Sequence, residues 1–193
     1  INSFAQADLK KESSQIIEIG CGQCSNLIHL STLGFQQSNL YGIDINSKDI
    51  NFAKQNYPLL NLSNQDACCI NHNDNYFDLA FESTMFIQLT DESISQKIAN
   101  EMLRVVKPNG FILIIDWKYE KKNHPQFKAC NLRRLTRLFK IGNLTSLKKE
   151  EYGALIPPVG RYLSKNYSFM YFLISRLFPL LVGQRGFLLQ KIG

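Results

Sequence analysis

Residues 16–24, Ile-Ile-Glu-Ile-Gly-Cys-Gly-Gln-Cys, run a β-branched stretch into a glycine turn, a combination suited to holding a nucleotide. Gly20 and Gly22 let the backbone take positive φ and come close to a ligand, and a helix opened after them presents unpaired N–H groups. Asp44 follows about twenty residues later, the interval at which a carboxylate accepts hydrogen bonds from ribose hydroxyls. Its plainer reading is a turn or N-cap residue, although Asn46 and Ser47 are placed to cap instead. Asp66, followed by Ala67, stands in a polar stretch where an acid reads as a solvated loop residue. Glu82 and Ser83 close an apolar run. His29, His72 and His124 stand where histidines are usually satisfied or solvated, so none is assigned as a base and no catalytic residue is assigned. Cys21, Cys24, Cys68, Cys69 and Cys130 are odd in number and read as reduced thiols. Structural zinc sites use spaced knuckles rather than neighbouring cysteines, so no metal is expected.

These residues need strands and helices to place them. Ile16, Ile17 and Ile19 suit a strand covered on both faces. Leu27, Ile28, Leu30 and Leu33 follow helical spacing over 25–32, and Gly34 is placed to end that helix. A buried strand is expected over 40–45 and a helix over 47–56, stopped near Pro58. Residues 59–62 make a poor strand, and 61–75 are loop-rich. A strand follows over 76–82. Ile94, Ile98, Met102 and Val105 space a helix over 91–106, which Pro108-Asn109-Gly110 stops. Residues 111–117 form the strongest buried strand. Residues 3–13 read as the end of a helix carrying Phe4, Ala7 and Leu9.

The line Glu18-x-Gly20-x-Gly22-x-Cys24 resembles the E/D-x-G-x-G-x-G turn of class I S-adenosylmethionine-dependent methyltransferases, rather than the G-x-G-x-x-G of dinucleotide sites. Cys24 replaces the third glycine, which implies a backbone that avoids a glycine-only conformation or a looser approach to the ligand. Asp66-Ala67 is similar to the acid and small residue that the family places beside adenine. Phe77-Asp78-Leu79 resembles its fourth strand, and residues 103–110, Leu-Arg-Val-Val-Lys-Pro-Asn-Gly, resemble its L-R-V-L-K-P-G-G turn. These landmarks fall in order across 16–117. Gln88-Leu89 departs from the histidine-leucine pair of many small-molecule members, and glutamine cannot act as a base.

The resemblance implies an α/β fold: a Rossmann-like, doubly wound, mostly parallel sheet with a final antiparallel strand and a helical cap inserted after the fifth strand. It implies one domain over 1–193, with a cofactor half over 1–117, a basic helical cap over 118–182 and a last strand over 183–193. S-adenosylmethionine is the implied cofactor, its amino-acid end held by Glu18, Gly20, Cys21 and Gly22, its ribose by Asp44 with Ile45 and its adenine by Asp66 and Ala67. Glu82 and Ser83 complete the set on the side of the methyl donor and acceptor. Two rival readings remain: a dinucleotide oxidoreductase, and a non-catalytic module of the same fold that binds a membrane surface or RNA.

At 193 residues with 45% hydrophobic content the chain fits one globular domain. The longest apolar candidate, 169–182, is interrupted by Arg176 and Pro179, too short a run to span a bilayer. No signal peptide is visible, and a chain starting at Ile1 reads as an N-terminally trimmed piece. The net charge of +6 is uneven: residues 1–117 hold 7 Lys/Arg against 13 Asp/Glu, and residues 118–193 hold 15 against 3. Such asymmetry points to an anionic partner for the basic part. Leu132, Leu135, Leu138 and Phe139, interleaved with Arg133, Arg134, Arg137 and Lys140, read as a basic amphipathic helix. It suits a solvated lid face, a surface for an anionic substrate or nucleic acid, or an interfacial membrane helix.

Residues 152–193 contain no acid, while Arg161, Lys165, Arg176, Arg185 and Lys191 lie among many aromatics. Leu155-Ile156-Pro157-Pro158 is expected to close a strand or turn, 162–178 to form one helix ended by Pro179, and 187–192 to form the last strand. The expected partner is a small-molecule acceptor bound largely within 118–182, with a membrane surface or anionic substrate as a further partner of that region. No aromatic-basic signature of a nucleic-acid module is present. The expected location is the cytoplasm, with peripheral contact at a membrane.

Overall fold

The computed structural model describes residues 9–120 and 124–193. Its elements run β1 (Ile16–Ile19), α1 (Ser25–Thr32), β2 (Leu40–Asp44), α2 (Ser47–Asn56), β3 (Asn61–Asn64), β4 (Phe77–Ser83), α3 (Glu92–Val105), β5 (Val106–Trp117), α4 (Leu132–Leu138), β6 (Thr145–Tyr152), α5 (Pro157–Asn166), α6 (Ser168–Leu177) and β7 (Gln184–Lys191). They build one seven-stranded sheet of order β3-β2-β1-β4-β5-β7-β6. The first five strands in that order are parallel, whereas β7 pairs antiparallel to both β5 and β6. The expected Rossmann-like sheet with an antiparallel last strand is the one observed.

Strand alternation divides the apolar residues between two layers. Ile17 and Ile19 join a cluster containing Phe77, Met102 and Ile114, while Ile16 packs in another with Leu27, Leu40 and Phe81. Both layers are closed because β1 is buried along its length, as a central parallel strand must be. β2 crosses this packing at Gly42, where an added Cβ would lie 2.8 Å from Cys21 Sγ and 2.9 Å from both Leu27 Cδ1 and Leu62 Cδ2.

Two of the motifs prove to be fastenings of the sheet. Lys107 Nζ pairs with Asp78 Oδ1 at 2.7 Å, and Asp78 Oδ2 accepts the Gln15 N–H at 2.8 Å. Arg104 donates to the carbonyls of Ile70 and His72 and pairs with Glu101 and Asp74, both at 2.7 Å. It thereby ties the polar loop after β3 to α3.

The second part differs from expectation in three places. Residues 145–152 form edge strand β6 within the region expected to be cap, so the helical insertion proper lies between β6 and β7. Pro157 and Pro158 open α5 rather than closing a strand, because a helix tolerates proline in its first turn, where N–H groups lack partners anyway. The single helix expected over 162–178 is two helices broken at Tyr167 (φ −147°). The helix expected over 3–13 lies largely outside the described residues; of the rest, Lys11–Ser13 form a turn.

Candidate functional site

The glycine turn is built as its sequence suggests. Gly20 and Gly22 have φ of 71° and 50°, and the Gly20 and Cys21 N–H groups donate to Ile43 O at 2.9 and 3.0 Å. Cys24, in the place of the third glycine, has φ 65° and ψ 24°, the left-handed conformation, which side chains enter seldom but which is not reserved to glycine. That conformation is costly for an L-residue. Cys24 is fully buried and its Sγ lies 3.6 Å from Cys21 Sγ.

Asp44 at the end of β2 binds this turn directly. Its Oδ2 accepts the Gly22 N–H and its Oδ1 the Asn46 N–H, each at 2.8 Å. Asn46 caps α2 through the Lys48 N–H, so the carboxylate is not spent on the helix. Gly20, Gly22, Asp44 and Ile45 form one side of a cavity of about 750 Å³, with Asp66, Ala67 and Ser83 elsewhere in its wall. Ile45 is 76% exposed, an apolar side chain left uncovered beside that carboxylate. Asp66 uses Oδ1 to accept the Cys68 N–H at 2.8 Å, an Asx turn that shapes its loop.

Three of the residues expected at the site lie beneath the wall. Cys21 belongs to the apolar core. Glu18 is buried, with Oε1 accepting from Asn26 Nδ2 at 2.6 Å and Oε2 without a partner among the described residues. Burial pushes its pKa up to about 8, against the opposing pull of the Asn26 hydrogen bond. Glu82 is fully buried and faces inward, because the chain reverses immediately after it: its carboxylate accepts the Met85 N–H at 2.7 Å and the Phe86 N–H at 3.4 Å. Burial first, and then the charge of Asp116, raise its pKa well above the carboxylate range. Glu82 therefore shapes the turn after β4 and does not reach the cavity.

Sequence reasoning missed three residues around that turn. Thr84 has φ 62°, a strained conformation for a β-branched residue, held by its N–H to Ile115 O at 2.9 Å. Asp116 is buried and accepts the Ile87 and Trp117 N–H groups, both at 2.7 Å, and burial raises its pKa to about 6. An acid within the most apolar strand was the signal available for it. Arg134, expected among the exposed cations of a basic amphipathic helix, is instead almost wholly buried. It donates to the carbonyls of Phe86, Leu89 and Lys128 and to Ser95 Oγ, and pairs with Glu92 at 2.9 Å. No periodicity distinguishes it from its exposed neighbour Arg133.

The turn held by Glu82, Asp116 and Arg134 separates two cavities. The second, of about 530 Å³, is walled mainly by Trp117, Phe127, Ile156, Pro157 and Pro158, with Arg161 and Glu120 as charged groups. Thr84 and Gln88 border both cavities, and the Gln88 side chain is fixed by donating to Thr84 O at 2.7 Å.

The chain is similar to known methyltransferases in sequence and in fold. A methyltransferase-domain family model matches residues 16–110. The chain is 30% identical over 119 residues to a fatty-acid O-methyltransferase of Mycolicibacterium smegmatis, a match covering 60% of this chain and 40% of that protein. It is 27% identical over 114 residues to the 2-methyl-6-phytyl-1,4-hydroquinone methyltransferase of Synechocystis, covering 57% and 34% respectively. The matched stretch thus spans well under half of either relative. Among solved structures, a methyltransferase from Methanosarcina mazei superposes with a TM-score of 0.71 at 16% identity, over 98% of this chain and 97% of that one. At that identity the likeness is one of fold.

Proposed function

The chain belongs to the class I S-adenosylmethionine-dependent methyltransferases, and on that premise we propose that it methylates an ionised oxygen on an apolar small molecule held in the second cavity. The observation that carries this reading is the meeting of the two cavities at Thr84 and Gln88. The larger cavity fits the cofactor on chemical grounds: Asp44 and Asp66 in its wall offer acceptors to hydroxyl and amino donors, and the buried Glu18 carboxyl, its Oε2 without a partner among the described residues, lies behind the glycine turn. When bound, S-adenosylmethionine supplies a sulfonium methyl whose transfer leaves the C–S electron pair on sulfur while an acceptor lone pair forms the new bond.

The residues of this chain then have positioning work. Gly20 and Gly22 allow close approach of the backbone, Asp44 holds the ribose and fixes the glycine turn, and Ile45 covers the base. Thr84 and Gln88 set the line between the cavities, and Glu82, Asp116 and Arg134 hold them there from behind. Alignment of two reactants is a large part of what catalysis of a transfer to a preactivated donor requires. An ionised acceptor oxygen needs no base, which agrees with glutamine at position 88. Arg161, the one cation among the described residues of a wall that is mostly apolar apart from it and Glu120, suits a carboxylate or phenolate head on a greasy body. The name of the mycobacterial relative, a fatty-acid O-methyltransferase, supports that class.

Calorimetric titration with S-adenosylhomocysteine tests the cofactor site: micromolar binding is expected, weakened at least about tenfold in Asp44→Ala, roughly the loss of one charge-assisted hydrogen-bonding group. A folded chain that does not bind it would refute the reading. Radiolabelled methyl transfer to long-chain carboxylates and phenols tests the acceptor, and cofactor binding without turnover on either class would refute that part.

A further inference from the structure

Helix α6 is apolar on both sides. Met170, Tyr171 and Ile174 pack inward against Leu155, Leu163 and Val182, while Phe169, Leu173 and Leu177, spaced i, i+4, i+8, are exposed, Phe169 at 78%. A helix hydrophobic all round is normally buried, so this outer face is built to be covered. Tyr162 on α5 and Phe178 and Leu180 after α6 extend it, Leu180 being 80% exposed. The patch contains charges of one sign only: Lys165 and Arg176 are exposed on the same two helices, and no Asp or Glu occurs anywhere in residues 152–193.

We propose that the outer face of α5 and α6 docks on an anionic lipid surface, with its aromatic and aliphatic side chains in the headgroup region and Lys165 and Arg176 against the lipid charge. Exposed apolar groups beside unopposed cations are what such an interface binds, whereas a face meant for water would not combine them. No described helix is long and apolar enough to cross a membrane, so contact is at the surface. Docking also has a purpose: Pro158 on α5 borders both the second cavity and an apolar groove of about 470 Å³ formed by α5 and α6. The lipid surface therefore lies one helix away from the cavity assigned to an apolar acceptor. The docking stands without the methyl-transfer reading, because it is read by binding alone.

The test is co-sedimentation of the chain with vesicles of phosphatidylcholine alone and of phosphatidylcholine with about a third phosphatidylserine. Binding at least about tenfold tighter to the anionic vesicles is expected, as two or more cations near the surface would give. Phe169→Glu with Leu173→Glu should lose binding to both compositions. Lys165→Glu with Arg176→Glu should lose the preference for anionic lipid. Circular dichroism melting that matches the parent protein shows that each pair folds, since the altered side chains are exposed. Equal binding to both compositions, no binding to either, or binding unmoved by the substitutions would overturn the proposal. So would a dimer in the absence of vesicles that Phe169→Glu with Leu173→Glu abolishes, which would give the face to a second copy of the chain.

Discussion

Cys24 holds a conformation that glycine usually supplies, and the cost, about 1–2 kcal/mol for an L-residue in the left-handed region, is borne at the glycine turn that walls the larger cavity. Because its φ is already 65°, Cys24→Gly should keep affinity for S-adenosylhomocysteine within about threefold, the backbone geometry being unchanged. Cys24→Val, β-branched at the same φ, should lower stability by about 2–3 kcal/mol; urea denaturation measures both variants. Residue types made the glycines and Asp44 legible, since few other side chains do their work. The sequence does not show torsion angles or burial, which is why the strain at Cys24 and Thr84 was hidden. Nor did it reveal the inward turn of Glu82, because a residue near a strand's end faces the core or the site according to how the following chain folds back.

At the scale of elements, the segment between β4 and α3 is fastened by side chains from elsewhere in the sequence. Arg134, on α4, does most of this. Arg134→Met should destabilise the protein by about 3–5 kcal/mol, the range for removing one member of a buried charged pair. It leaves the carbonyls of Phe86 and Leu89 without their donor, so acceptor kinetics should also suffer. Arg134→Lys should not rescue it, because an ammonium cannot reproduce the guanidinium fork; denaturant midpoints of the two variants decide this. β3, with only Leu62 buried, read as a poor strand, while β1, β2, β4 and β5 were readable because each is a mostly apolar run between turn residues. β6 was not: Thr145–Tyr152 carries Lys148, Lys149, Glu150 and Glu151, and an edge strand with one neighbour does not need a continuous apolar face. For the same reason the two-helix cap was read as one helix, as nothing in its composition marks the break at Tyr167.

For the whole molecule, the buried carboxylates set the response to pH. Glu18 and Asp116 titrate near about 8 and about 6, and Glu82 is also raised, all chiefly by burial. Between the ordinary carboxylate range and these values the folded protein retains protons that the unfolded chain has released, so stability falls as pH rises. Thermal melting should therefore show a midpoint that declines from about pH 5 to pH 8. Glu18→Gln, neutral at every pH, should flatten that decline and exceed the parent at pH 8; a midpoint that rises over this interval in the parent would contradict the assignment. The order of the sheet has a further consequence for synthesis. Among the described strands β7 leaves the ribosome last, yet it lies between β5 and β6 with Phe187, Leu188 and Leu189 buried. During translation strands β1–β5 can condense early, while β5 waits with an open edge and β6 has no partner at all. An unpaired edge of that kind invites the wrong neighbour. The interval between emergence of Trp117 and of Gln184 is thus the time when this chain most needs a chaperone.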